Sequence, residues 1–406
     1  MQNEPRVCDK TLDELRRFQY NYSISTQEAR MKADKQKNKS LPRRLFGLLW
    51  IFIPLVVAAA MYFLLPMFPE FTEYVISRGL FKIFTVPVGF VTSLIPISLT
   101  ELCAVLAIPA VVALLVVFII RMKKSASRRS TAVKAGRFLV GFVSFAALVY
   151  MTAHGANYYR LSMEQLMDLD TSPKSAEFLV AVCQDLATHA AEEREHLTED
   201  ENGCVTFTED IWTELSRTGS GYEALVEEYP FLWTSISRQK PVQLSYYWSY
   251  TGITGMYFPF LAECNVNTEQ PDFCQPFTAS HESAHSRGIA FENECNFLAY
   301  LSCINSEYPE FRYSGYMMAY KYCANSLYAY DIDLWREANA YTTDGMWRDF
   351  TAENEYISAF EGKVSETAGN INDGFIKSQG VKDGQKSYGR VTDLILAHYY
   401  KQWAQS

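Results

Sequence analysis

Residues 278–303 read TASHESAHSRGIAFENECNFLAYLSC, and within them His281, Glu282 and His285 form an H-E-x-x-H. Residues four apart on a helix share one face, a turn above each other. Two imidazoles placed that way can grip one Zn²⁺, and the intervening Glu282 can act as general base on a water that the metal holds. A five-residue pattern also arises by chance on ordinary helices, so its neighbours matter. Gly288 follows His285 by three residues, where a helix closing in a left-handed residue wants glycine. Two carboxylates come next, Glu292 and Glu294. Glu292 is the favoured third ligand, because Asn296 lies four residues on and can hydrogen-bond behind the ligands. Glu294 points roughly 200° around the helix from Glu292 and is the alternative. Two His and one Glu, with a fourth position open to water, is the ligand set of a catalytic zinc site rather than a structural one.

Such a site needs a helix, a tight turn at Gly288, and a second helix folded back; CNFLAYLSC is apolar enough for the latter. Residues 245–260, rich in aromatics around Gly252 and Gly255, are expected to form an edge-strand wall or a packed loop beside the metal helix. A final amphipathic helix is expected over 389–403, and Tyr388, Arg390 and Asp393 at its start could reach the site to stabilise an oxyanion. Phe178, Leu179, Val182, Leu186 and Ala190 recur at helical spacing within 175–196. Helices are also expected in 209–233, broken near Gly219 to Gly221, and in 309–342 and 344–361. Residues 372–388 read as loop-rich. His189 and His196 sit on a charged stretch and read as solvent-exposed, and His398 reads as packing.

The front of the chain is of a different kind. Residues 1–154 hold 20 Lys/Arg against 9 Asp/Glu, and residues 155–406 hold 17 against 37. The reading is a cytoplasmic tail at 1–44 with a short helix near 10–19, then a membrane anchor at 45–154. Its three spans are 45–67, 98–120 and 138–154. Residues 81–97 are broken by Lys82, Pro87, Gly89 and Pro96, which suits an interfacial or re-entrant segment. Glu101 opens the second span as a helix-start residue or a functional carboxylate. Basic residues crowd the tail and the loop at 121–137, so both are assigned to the cytoplasm and residues 155–406 to its outside. These basic residues flank membrane spans, so they give no nucleic-acid surface. No signal peptide is evident.

Nine cysteines are present and none forms C-x-x-C, which argues against a cysteine zinc site. Cys264 and Cys274 flank a proline-containing loop and could pair outside the cytoplasm, or remain buried thiols. Cys295 and Cys303 read as core residues.

Four stretches carry a resemblance: IPISLTE at 95–101, TGITGMYFPFLAECNVN at 251–267, HESAHSRGIAFENECNFLAYLSC at 281–303, and INDGFIKSQGVKDGQKSYGRVTDLIL at 371–396. With them the chain, from about 45 to 400, resembles a family of bacterial membrane proteins known as a domain of unknown function with a zincin-like, gluzincin-type core. That resemblance implies an N-terminal membrane anchor and a helical gluzincin-like domain, and it implies no substrate. Cys295 departs from the small residue expected there.

The fold expected is therefore mainly α, transmembrane helices followed by a mostly helical zincin-like domain with at most a small β element. The function expected is a membrane-anchored Zn²⁺-dependent metallopeptidase acting on a peptide or protein outside the cytoplasm, with membrane lipid as its other partner. A non-catalytic zinc-binding sensor or interaction module is the alternative. Intramembrane proteolysis would need H-E-x-x-H inside an apolar span, whereas here it lies among Ser280, Ser286 and Arg287.

Overall fold

The computed structural model describes residues 49–379 and 390–404, together with Met31. Four helices at the front are long and apolar enough to cross a membrane: α1 (Leu49–Met67), α2 (Pro69–Ser93), α3 (Leu99–Lys124) and α4 (Arg128–Ala153). The expected spans at 45–67 and 98–120 fall on α1 and α3, and 138–154 is the apolar part of α4. The difference from the three-span expectation lies in α2, which takes in most of the segment read as interfacial. The tail at 1–44, Met31 apart, lies outside the described residues.

α2 differs from its neighbours in what it buries. Its Thr72–Leu80 portion is wound as a π-helix, and Glu73 and Ser77 are buried there. Arg160 grips Glu73 with two parallel bonds, Nε to Oε2 at 2.7 Å and Nη2 to Oε1 at 2.9 Å. Both side chains are almost wholly buried. Ser77 Oγ donates to Asn157 Oδ1 at 2.8 Å. At the other end of α2, Thr92 donates to the Leu261 carbonyl at 3.1 Å and Ser93 to that of Ile236 at 2.9 Å. Arg160→Met leaves buried Glu73 with only the part-exposed Arg78, whose Nε lies 2.6 Å from Oε1, and is therefore expected to cost about 1–3 kcal/mol, read as a lowered unfolding midpoint of the detergent-solubilised chain. An unchanged midpoint would mean that the pair contributes nothing to stability.

A three-stranded sheet ties the apolar helices to the C-terminal region. Its strands β1 (Gln239–Pro241), β2 (Gly255–Phe258) and β3 (Glu263–Val266) are ordered β1-β3-β2. β3 runs parallel to β1, pairing Asn265 with Lys240, and antiparallel to β2, pairing Cys264 with Tyr257. Glu263 caps α3, accepting from the Leu99 N–H at 3.1 Å and the Thr100 N–H at 2.7 Å. A carboxylate at the positive end of a helix is stabilising. Buried Lys240 pairs with Glu263 and also donates to the Thr92 carbonyl at 2.9 Å. Glu101, one turn into α3, accepts from the backbone N–H groups of Gln243 and Leu244 at 2.9 and 2.7 Å. It thus joins α3 to the segment that follows β1, as a helix-start residue.

Of the expected wall at 245–260, only Gly255–Phe258 is strand, and Ser245–Ser249 is helical. The core lies among α5 (Ala176–Arg194), α6 (Gln275–Ser286), α7 (Glu292–Ile304), α8 (Pro309–Tyr330) and the last helix. Leu186, Phe297, Tyr300, Met317 and Ile395 are buried there, with Ala187 and Ala190 letting helices approach closely. Behind α8 come α9 (Asp344–Phe360), α10 (Lys363–Ser378) and α11 (Val391–Trp403). α10 takes in the first part of the region read as loop, 372–378: its amphipathic pattern continues to Ser378, while residues 380–389 lie outside the described residues.

Candidate metal centre

α6 carries the H-E-x-x-H. Pro276 stands in its first turn, where the missing N–H costs no helical bond. The helix closes at Arg287, and Gly288 takes φ +85°. A Cβ there would also sit a tight 3.3 Å from the Phe81 ring, so the left-handed angle and the crowding both favour glycine. Arg160 Nη1 donates to the Gly288 carbonyl at 2.7 Å, pinning the turn to α2. The chain then doubles back and α7 starts at Glu292.

This brings three atoms together. Glu292 Oε2 lies 3.0 Å from His281 Nε2 and 3.7 Å from His285 Nε2. The other ring nitrogens face oxygens: His281 Nδ1 is 2.7 Å from Asn296 Oδ1, and His285 Nδ1 is 2.8 Å from the Ile289 carbonyl. Carbonyl oxygens only accept, so each ring turns an Nδ1 proton rearward, and an ion taking the place of the Nε2 proton would meet that nitrogen's lone pair. Tetrahedral Zn²⁺ with bonds near 2.0–2.1 Å places its ligand atoms about 3.3 Å apart, and the observed separations bracket that value. The residues therefore fit the ion. Burial favours the protonated Glu292 carboxyl, but the His285 and His281 imidazoles outweigh it and hold the group well below the usual carboxylate range.

Two other donors lie close. Cys295 Sγ is 3.3 Å from His285 Nδ1, and His281, His285 and Cys295 have donor atoms within 4.8 Å of one another. The sulfur faces the Nδ1 edge that Ile289 already engages, while the Nε2 edge faces Glu292. Burial also pushes the thiol up to about 12. Glu292 is thus the better third ligand. Glu294 turns away: its Oε1 accepts from the Met163 N–H at 2.8 Å, and burial lifts its carboxyl to about 7.

Glu282 faces the same space. It is buried, and its Oε2 makes no hydrogen bond among the described residues. Burial raises its carboxyl above the usual range, against the pull of His281 and His285. β2 runs beside it so closely that a Cβ on Gly255 would fall 2.8 Å from Thr278 Cγ2 and 2.9 Å from the Glu282 carboxyl carbon. Only glycine admits that approach. β2 is an edge of the sheet and, with α6 and α10, lines a cleft of about 760 Å³, a size suited to a small ligand or a short peptide stretch.

The cleft also gathers residues that the sequence did not single out. His154, just past α4, lies with its ring centroid 5.7 Å from that of His285, and its Nδ1 is buried without a hydrogen bond among the described residues. Burial and the neighbouring His285 lower its imidazole to about 3, keeping it neutral. The Tyr257 hydroxyl is similarly unsatisfied. Buried polar atoms are rarely left unpaired, and their concentration around one cleft marks it as a place for a polar ligand. A lone histidine at the end of an apolar run was the one signal for His154.

The other expected residues are placed elsewhere. Tyr388 lies outside the described residues, and Arg390 and Asp393 are exposed and do not line the cleft. His398 packs edge-on against Phe297. His196 is exposed, while His189 is half-buried and stacks on Tyr316. Cys264 and Cys274 are both free, buried thiols.

Fold and site together describe a mainly helical protein with four apolar N-terminal helices and a histidine–carboxylate centre under them. Residues 76–396 match the family described as Protein of unknown function (DUF3810), and the chain belongs to that family. No curated protein and no solved structure matches the chain.

Proposed function

We propose that this protein is a membrane-anchored, zinc-dependent peptidase with a gluzincin-like centre. His281, His285 and Glu292 would hold the ion. The observation that carries the reading is the meeting of two Nε2 atoms and one carboxylate oxygen beside the unpartnered Oε2 of Glu282. When bound, Zn²⁺ supplies Lewis acidity, polarising a scissile carbonyl and easing deprotonation of water. Asn296 and the Ile289 carbonyl orient the two rings. Glu282 Oε2 takes the proton of the attacking water and delivers it to the leaving amine, a role suited by a carboxyl raised towards neutrality. His154 Nδ1 donates to the oxygen that becomes negative. The free edge of β2 offers backbone N–H and C=O groups to an extended substrate.

The test is hydrolysis of a mixed peptide library by the purified full chain, stopped by a chelator and restored by zinc. Zinc retention without cleavage of any peptide would favour a sensor instead. His154→Ala is expected to lower kcat by about 10²–10³ with KM and zinc content little changed. Unchanged kcat would remove His154 from the chemistry.

The contacts of α2 support the outer side of the membrane for the domain. Its two ends bond the same domain, Glu73 to Arg160 and Thr92 to Leu261. A helix crossing the bilayer would separate those ends by about 30 Å of hydrocarbon. α2 therefore lies along the domain, leaving α1, α3 and α4 to cross. With the basic α3–α4 turn in the cytoplasm, the domain falls outside it.

A further inference from the structure

We propose that the substrates are polypeptides anchored in the same membrane and cut close to its surface; this rests on the peptidase reading and narrows it. The argument begins with where the cleft sits along α4. The last charged residue of that helix is Arg137, and the run from Phe138 to Ala153 is uncharged. At about 1.5 Å per residue this run is roughly 24 Å long, close to the roughly 30 Å of a hydrocarbon core. The far end of α4 is therefore at the boundary between lipid tails and headgroups. His154 caps that end and its ring contacts His285. The metal centre thus lies at headgroup level, one side chain away from the span.

The roof of the cleft is fixed at the same height. α10 contributes Ile371 and Phe375 to the lining. Phe375 meets Tyr150, one turn before the end of α4, at 6.1 Å between ring centroids. Tyr62 of α1 donates its hydroxyl to the Ser378 carbonyl at 3.0 Å. α10 is thereby tied to the outer ends of two membrane helices. Val364, Ile371 and Phe375 recur at helical spacing and are exposed, Ile371 at 69%. The roof of the cleft therefore presents apolar side chains at the level of the headgroups.

A peptide free in solution must find a slot recessed against the bilayer. A polypeptide held by its own span is already confined to that layer, which raises its effective concentration by orders of magnitude. Its first extended residues also pass the height of β2. At about 3.3 Å per extended residue, a slot within about 30 Å of the span reads roughly the first ten residues beyond it.

The test reconstitutes the full chain in phosphatidylethanolamine–phosphatidylglycerol vesicles with a reporter. The reporter has one transmembrane helix and a randomised tail of about 40 residues, some 130 Å when extended. Cleavage positions are read by mass spectrometry, with Glu282→Gln as the inactive control. The expected result is cuts clustered within about ten residues of the span, and at least about tenfold slower cutting of the same tail without its helix. Equal cutting of tethered and free tails, or cuts spread evenly along the tail, would overturn the tethered-substrate proposal and leave the peptidase standing. Cutting of neither would overturn both.

Discussion

Glu282→Gln is expected to keep zinc and lose hydrolysis, with kcat falling by about 10²–10⁴, the usual contribution of a general base. The substitution is nearly isosteric, so the crowded contact with Gly255 is preserved. It removes only the ability of Oε2 to accept and return a proton. Neither Nε2 of His281 nor that of His285 depends on Glu282, so metal content is expected to match the parent chain. Parent-like turnover would show that Glu282 is not the base, and loss of zinc would show that it holds the ion.

The second large effect separates the two acids at the start of α7. Glu292→Gln replaces an anionic oxygen that faces both imidazoles with a neutral amide. Losing even a group that only supports a ligand typically costs 10–100-fold in metal affinity, so losing the ligand itself is expected to exceed about 100-fold. Glu294→Gln is expected to leave zinc affinity unchanged, since that side chain accepts from Met163 on the far side of the helix. Competition against a chromophoric chelator measures both variants. The opposite ranking would assign Glu294 to the metal and contradict the geometry.

The difference between these neighbours was legible in the sequence because it depends on helical rotation alone. So was the turn at Gly288, where a short-range signal meets a left-handed backbone angle. What stayed hidden was long-range. His154 stands 131 positions before His285 in the chain, and only the docking of α4 against the domain brings the rings together. The Glu73–Arg160 pair has the same character. The full length of α2 was not legible for a physical reason: its polar residues interrupt an apolar run, yet they meet protein instead of lipid. Glu73 pairs with Arg160, and Lys82 sits 4.8 Å above the Trp233 ring. Pro87 is accommodated inside the helix. The wall at 245–260 was only half legible, because a four-residue strand within an aromatic-rich stretch gives weak alternation.

The most direct measurement is anomalous diffraction at the zinc edge from crystals of the full chain grown with the metal. The account predicts one strong peak about 2.0–2.2 Å from His281 Nε2, His285 Nε2 and an oxygen of Glu292. No peak there, or one bonded to Cys295 Sγ with Glu292 turned aside, would contradict it.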